Sequence, residues 1–105
     1  MKFTVDEFLA KLPLAANEKW KDGVWDVEPF KRLGVSLVFF APRGTDYQTF
    51  HDEDEFYFIA SGRGKIVIGS ETFDFSAGDA FFVAANIEHR FEDFTDDFAT
   101  WAVFF

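Results

Sequence analysis

The chain has 105 residues, a formal net charge of −9 and no cysteine, so it is long enough for one domain and has no disulfide, thiolate metal site or cysteine nucleophile. Its negative charge disfavours nucleic acid and anionic membrane surfaces as partners. The acidic N-terminus does not resemble a signal peptide and no stretch is long and apolar enough to span a membrane, so we expect a cytoplasmic protein.

The first predicted element is a short amphipathic helix. Thr4 and Glu7 form a capping box, and apolar residues then recur at helical spacing, at Val5, Phe8, Leu9 and Leu12. Pro13 ends this pattern. We predict a helix from Thr4 to Lys11, within an N-terminal segment 4–12, that lies against the body of the domain.

After residue 24 the sequence changes to short runs rich in Val, Ile, Phe, Tyr and Trp, separated by turn signals. One of these signals, Ser61-Gly62-Arg63-Gly64, predicts a hairpin turn. Close, regular spacing of short strands is typical of an antiparallel sandwich or barrel, so we predict an all-β single domain over 1–105 with a β-barrel in 24–105. The predicted strands are Val24–Phe30, Val35–Ala41, Tyr47–His51, Phe56–Ala60, Lys65–Ile68, Thr72–Phe75, Ala80–Ala84, Glu88–Glu92 and Phe98–Phe104.

The aromatic content bears on assembly, because the chain contains 17 Phe and 3 Trp. Adjacent residues on a strand point to opposite faces. In pairs such as Phe39-Phe40, Phe81-Phe82 and Phe104-Phe105, one ring therefore fills the interior and the other needs a second layer or another subunit. Since large exposed apolar patches usually mark interfaces, we expect a homodimer, with a two-layer core inside one chain as the alternative.

The two histidines of the chain, His51 and His89, each stand beside a predicted strand. On one straight strand His51 and Glu55 would be about 13 Å apart, too far to share an ion. The acidic turn at 52–54 removes this difficulty, because a three-residue hairpin loop would make His51 and Glu55 cross-strand neighbours. We expect His89 to arrive from a second hairpin, whose turn is 84–87. Two imidazoles and one carboxylate form a ligand set that leaves positions open on a divalent ion.

Both histidine segments resemble the motifs of the cupin family. In the first motif, G-x5-H-x-H-x3-E-x6-G, His51 takes the second histidine position, Glu55 the glutamate and Gly62 the closing glycine. In the second, G-x5-P-x-G-x2-H-x3-N, Gly78 takes the opening glycine and His89 the histidine. The resemblance implies a double-stranded β-helix, or jelly-roll barrel. It also implies that His51, Glu55 and His89 are the ligands of a divalent metal ion, Fe, Mn, Ni or Zn.

Several positions depart from these motifs. Thr49 stands at the first histidine position, so one ligand of the family is missing; its hydroxyl is a candidate contact for a metal-bound water or a substrate. Gln48 is a candidate replacement ligand, which would need a bulge to turn it inward. Gly44 lies one place from the opening glycine of the first motif. In the second motif the changed positions are Ala84, Asn86 and Asp93, of which Asn86 tolerates the left-handed backbone of a glycine.

Tyr57 is expected on the same face as Glu55, where its phenol is a candidate general acid or substrate donor and packing in the core is the alternative. The leading hypothesis is a metal-dependent enzyme acting on a small organic substrate, with dioxygenase-like, isomerase or lyase chemistry. The dioxygenase assignment rests on the family resemblance alone. The second hypothesis is a non-catalytic module that binds a sugar or aromatic acid beside a degenerate metal site. The third is a metal-free isomerase or epimerase with a histidine base and Tyr57 as acid.

Overall fold

The structure is a computed structural model that describes residues 1–18, 20–46 and 51–105. Within these residues the chain forms a helix, α1 (Val5–Leu9), and then strands only. The strands are β1 (Asp26–Arg32), β2 (Val35–Phe40), β3 (Glu55–Ser61), β4 (Arg63–Ile68), β5 (Glu71–Ser76), β6 (Ala80–Val83), β7 (His89–Glu92) and β8 (Ala99–Phe104).

The strands form two antiparallel sheets that face each other. The larger sheet has the order β1-β2-β8-β3-β6, and the smaller has the order β5-β4-β7. This arrangement confirms the predicted all-β barrel with a short N-terminal helix. The predicted strands have counterparts at nearly the same bounds, except Tyr47–His51, most of which lies outside the described residues. Of that predicted strand only His51 is described, and it is not in a strand.

Helix α1 is shorter than predicted. Thr4 caps it, since the Thr4 hydroxyl accepts a hydrogen bond of 3.2 Å from the Glu7 amide. The helix ends at Leu9, and after the capping residue Ala10 the amides bond three residues back instead of four: the Lys11 amide donates to the Phe8 carbonyl at 3.1 Å. Through the buried ring of Phe8, the helix packs on the outer face of the larger sheet.

Two of the predicted hairpins are wrong, because the chain crosses between the sheets at both places. The segment 61–64 leads from β3 in the larger sheet to β4 in the smaller, and the turn 84–87 leads from β6 to β7. Both edges of β3 are already paired, with β6 and β8, so β4 has no edge of β3 to join. At the first crossing a Cβ on Gly62 would lie 2.6 Å from the Phe98 Cα, so the tight passage requires glycine.

Adjacent Phe residues separate between the two faces of the larger sheet, as the strand alternation predicts. Phe40 packs in the interior, whereas Phe39 packs outside against α1. Phe104 faces the interior cavity, whereas Phe105 remains 48% exposed. Helix α1 therefore covers only part of the outer face of the larger sheet. Over residues 1–18, 20–46 and 51–105, no helix has the length and apolar character that crossing a membrane requires.

Candidate metal centre

Three side chains meet at one end of the barrel interior: His51, Glu55 and His89. Each offers one ligand atom, and these atoms all lie within 4.8 Å of one another. This limit is only slightly wider than the distance of about 4.2–4.4 Å that two ligands on opposite sides of one ion span. Glu55 is 1% and His89 3% exposed, while His51 is half-buried. The structure therefore brings together the three residues that the sequence selects as metal ligands.

The route by which His51 reaches Glu55 differs from the prediction. Glu55 is the first residue of β3 and pairs with Phe104 on one side and Val83 on the other. Since both neighbouring positions are filled, His51 is not a cross-strand neighbour of Glu55, and the expected hairpin is wrong. The bend at 52–53 instead carries the chain from His51 into the start of β3.

Main-chain hydrogen bonds hold the two histidine segments together. The Asn86 amide donates to the His51 carbonyl at 2.6 Å, and the Ala85 amide donates to the Asp54 carboxylate at 2.9 Å. Asp54 in turn exchanges backbone hydrogen bonds of 3.1 and 3.0 Å with Phe105. Asn86 has a φ of 64°, the left-handed conformation expected of a residue that replaces glycine. The turn before His89 thus also supports the bend after His51.

The orientation of His89 is set by a backbone contact. His89 is the first residue of β7, and its Nδ1 lies 2.8 Å from the Ile87 carbonyl oxygen. A proton on Nδ1 is donated to this oxygen and leaves the lone pair on Nε2. The Nε2 atom points toward the Glu55 carboxylate, with 3.1 Å between Nε2 and Oε1. Such an outer hydrogen bond is the usual way in which a metal-binding histidine is held in one orientation.

Four polar atoms of this cluster are buried without hydrogen bonds. Among the described residues, the buried side-chain atoms that lack a partner are His51 Nε2, His89 Nε2 and both Glu55 carboxylate oxygens. His89 Nε2 and Glu55 Oε1 are close, but their alignment is not that of a hydrogen bond. Burying such atoms unpaired costs about 1–3 kcal/mol each, and more for a charge. All four atoms belong to one cluster, so one divalent cation would satisfy them together. The donor set fits a metal ion.

The charge around His89 also favours a cation. Burial, the largest single effect, lowers the pKa of His89, but the opposing effects outweigh it and the pKa is raised. These effects are the contact with the Glu55 carboxylate, the hydrogen bond to the Ile87 carbonyl, and the negative charges of Glu55 and Asp46. An environment that stabilises a proton on the imidazole will also stabilise a metal cation at the same place.

A cavity of about 340 Å³ opens beside the cluster, and His51 and Glu55 form part of its wall. Its volume is in the range of sites that enclose small organic molecules. The apolar part of the wall consists of Val38, Phe40, Ala102 and Phe104. The polar part consists of Trp20, Asp26, Glu28, Lys31, Ser36 and Glu53, of which Ser36 is buried. None of these polar residues was predicted as a site residue from the sequence, although Ser36 alternates with Val38 and Phe40 along β2.

Tyr57 lies in the wall of the same cavity. It is fully buried, stands two residues after Glu55 on the inner face of β3, and has its ring centroid 6.0 Å from that of His89. Its ring also packs edge-on against Phe91, with 4.8 Å between centroids. Tyr57 therefore combines the core position and the site position that the sequence left as alternatives. Gln48 and Thr49 lie outside the described residues.

Comparison with known proteins identifies relatives over most of the chain. A family model for the cupin domain matches residues 36–105. An uncharacterized protein from Streptomyces coelicolor is 34% identical over 74 residues, which are 70% of this chain and 70% of that protein.

Solved structures show the same architecture. A cupin 2 conserved barrel domain protein from Salinispora arenicola has a TM-score of 0.65 and 20% identity, over 76% of this chain and 73% of that protein. KdgF from a Halomonas species has a TM-score of 0.65 and 17% identity, over 75% of this chain and 76% of that protein. At these identities the similarity establishes the fold.

Proposed function

The chain belongs to the cupin domain family, and on this basis we propose that it is a metal-dependent enzyme acting on a small organic molecule inside the barrel. The observation that carries this proposal is the group of four buried, unpartnered ligand atoms on His51, Glu55 and His89. A merely structural cluster of this kind would lower stability without a compensating contact.

His51, Glu55 and His89 would hold the ion through two neutral imidazoles and one carboxylate. This donor set suits Fe, Mn, Ni or Zn and leaves coordination positions free for substrate oxygen atoms. When bound, such an ion supplies Lewis acidity to an oxygen atom of the substrate. The hydrogen bond from His89 to the Ile87 carbonyl keeps Nε2 available to it.

The remaining residues of the cavity bind and orient the substrate. Val38, Phe40 and Phe104 give one wall an apolar surface that binds a carbon skeleton and excludes water. We assign to Tyr57 the transfer of a proton to the substrate, since its phenol is buried in the wall two residues from Glu55. Isomerase and lyase reactions need such a proton donor. Dioxygenase-like chemistry is the third candidate reaction. The variant Tyr57→Phe separates it from the other two, because only the isomerase and lyase reactions should lose turnover while the ion is retained.

The test is metal analysis of protein purified without chelator, followed by reloading with each of the four ions. We expect about one ion per chain in the wild type and loss of it in His51→Ala, Glu55→Gln and His89→Ala with the far-UV spectrum unchanged. Glu71→Gln is the matched control, because Glu71 is an exposed carboxylate on β5. A wild-type protein that takes up no ion, or variants that bind it as well as the wild type does, would contradict the proposal.

A second candidate function is a binding module without turnover. The apolar lining by Phe40 and Phe104 supports it, as does the threonine at the first histidine position of the family motif. Such a module would bind a sugar or an aromatic acid with equal affinity in the wild type and in His51→Ala. Titration calorimetry of both proteins with galactose and benzoate distinguishes the two candidates, because the enzyme would lose ligand affinity with its ion.

A further inference from the structure

Charged side chains are unevenly distributed around the cavity. Its described wall contains four carboxylates, those of Asp26, Glu28, Glu53 and Glu55, against one ammonium group, that of Lys31. A divalent ion at the centre would still leave this lining with a net negative charge. The whole chain adds to this potential, because its formal charge is −9.

From this distribution we infer that the site selects substrates whose end remote from the metal is positively charged or neutral, and rejects those with an anionic end. The inference rests on the proposed function, since it concerns the part of a substrate that extends away from the metal ligands. In a partly enclosed cavity, charges of one sign strengthen the local field and discriminate between ligands by their charge.

The single ammonium group lies far from the metal ligands. Glu55 pairs with Phe104, Phe104 pairs with Ser36, and Ser36 pairs with Lys31, so these residues form one row across the larger sheet. Neighbouring strands are about 4.8 Å apart, which places Lys31 about 14 Å from Glu55 along the sheet. Lys31 is exposed on the edge strand β1, and Glu28 and Glu53 are exposed as well, so solvent weakens the fields of all three groups.

The remaining carboxylates lie beside the metal ligands and on the same edge strand as Lys31. Glu53 belongs to the bend between His51 and Glu55, beside the metal ligands themselves. Asp26 faces the cavity in register with Phe40, and Glu28 lies at the bulge of β1 between these rows. Carboxylates therefore outnumber ammonium groups both beside the metal ligands, where Glu53 lies, and along β1, where Asp26 and Glu28 stand with Lys31.

Aromatic faces on the same wall favour the same ligands. Trp20 and Phe40 both line the cavity, and the faces of aromatic rings attract cations. A substrate with an ammonium or similar cationic group would thus meet both carboxylates and rings. A neutral polar end would lose this attraction but would not be repelled.

Three hydroxamates that share one metal-binding head test the inference: β-alanine hydroxamate with an ammonium tail, butyrohydroxamate with a neutral tail, and succinate monohydroxamate with a carboxylate tail. Their Kd values are measured by titration calorimetry on the zinc-loaded protein at low salt. We expect the cationic probe to bind at least about tenfold more tightly than the anionic one, with the neutral probe between them, and the difference to shrink as salt is added.

Paired variants assign the effect to the cavity. In the double variant Glu28→Gln/Glu53→Gln we expect the ratio of the Kd values of the anionic and cationic probes to fall to about threefold or less. The control Glu71→Gln/Asp74→Asn, which removes two exposed carboxylates from β5, should leave the ratio unchanged.

Two results would overturn the inference: equal affinity for all three probes, or tightest binding of the anionic probe with that advantage lost in Lys31→Met. The second result would identify Lys31 as an anchor for an anionic substrate. Zinc content is measured in every sample beforehand. Absence of zinc contradicts the proposed function, whereas retained zinc with the wrong order of affinities contradicts only the charge selectivity.

Discussion

The two ends of the barrel interior differ in what their side chains contribute. At one end the rings of Phe75, Phe91 and Phe98 pack with centroids 4.7–5.5 Å apart, and each ring is at most 3% exposed. At the other end Glu55 and His89 are equally buried, but both Glu55 carboxylate oxygens and His89 Nε2 lack hydrogen-bond partners. Burial at the aromatic end is favourable by itself, whereas burial at the polar end becomes favourable only with a cation.

The same strands supply both ends. Along β7 the inward residues change from His89 to Phe91, and along β3 they change from Glu55 through Tyr57 to Ile59. The packed core residues Phe91 and Ile59 therefore help to fix the backbone positions of His89 and Glu55, two and four positions away. Removing a packed ring at the aromatic end should lower the free energy of unfolding of the metal-free protein. Removing the carboxylate at the polar end should instead remove the stabilisation that zinc provides.

The largest expected effect on stability is at the aromatic end. Phe98 is fully buried against Phe75 and Phe91, so Phe98→Ala should lower the free energy of unfolding by about 3–5 kcal/mol. Urea unfolding of the metal-free protein measures it. Leu33→Ala is the control at the surface, where the side chain is 91% exposed, and should cost less than about 1 kcal/mol. Equal losses in the two variants would show that the interior is not packed as described.

The next largest effect on stability is expected at the polar end, and it depends on bound metal. With free zinc at about one hundred times its Kd, binding to the folded state should stabilise the wild type by about 2.7 kcal/mol. Glu55→Gln should abolish this gain, because it removes the one charged ligand of the cluster. Thermal unfolding with and without zinc gives both values, with Glu71→Gln as the control. If Glu55→Gln retained the full gain, the carboxylate would not be a ligand.

The dependence of stability on pH should change sign with metal. In the metal-free protein the pKa of His89 is raised. The protonated imidazole therefore adds stability that is fully present below about pH 6.5, the ordinary pKa of histidine, and that is lost as pH rises through the raised pKa. A bound ion needs neutral imidazoles, so its contribution is lost as pH falls. Urea unfolding at several pH values tests this, and His89→Gln should remove the metal-free dependence. The same trend with and without zinc would be inconsistent with ligation by His89.

The smallest effect on stability is expected on the outer face of the larger sheet. Phe56, Phe58, Phe82 and Phe105 form a patch of rings there, each 37–48% exposed. The homodimer expected from the sequence stays a prediction, and this patch is where we expect the contact. Phe58→Ser/Phe82→Ser should shift sedimentation from dimer to monomer without changing zinc content. A wild type that sediments as a monomer at all concentrations would refute the dimer.

Local sequence patterns predicted most of the strands and the three residues, His51, Glu55 and His89, that meet in one cluster. Alternation of apolar residues marks each strand, and the separation of His51 from Glu55 by acidic turn residues requires a change of direction. The same patterns do not specify which strands pair. A turn signal such as 61–64 is compatible with a hairpin and with a crossing between sheets, and only the filled edges of β3 decide between them.

The cavity wall could not be predicted from alternation, for a specific reason. Asp26 and Lys31 are an odd number of residues apart, so on a regular strand they would face opposite sides. The register of β1 shifts between Val27 and Phe30, and both residues therefore face the cavity. Pro29 lies within this shift and is the one sequence signal for it, since proline inside a strand indicates an edge strand or a bulge, but the register itself becomes visible only in the pairing with β2.

Crystals grown with each candidate ion and measured by anomalous diffraction at its absorption edge test the central claim most directly. The account predicts one anomalous peak per chain, within bonding distance of His51 Nε2, His89 Nε2 and a Glu55 carboxylate oxygen. A peak elsewhere, or no peak at this cluster at any of the edges, would contradict it.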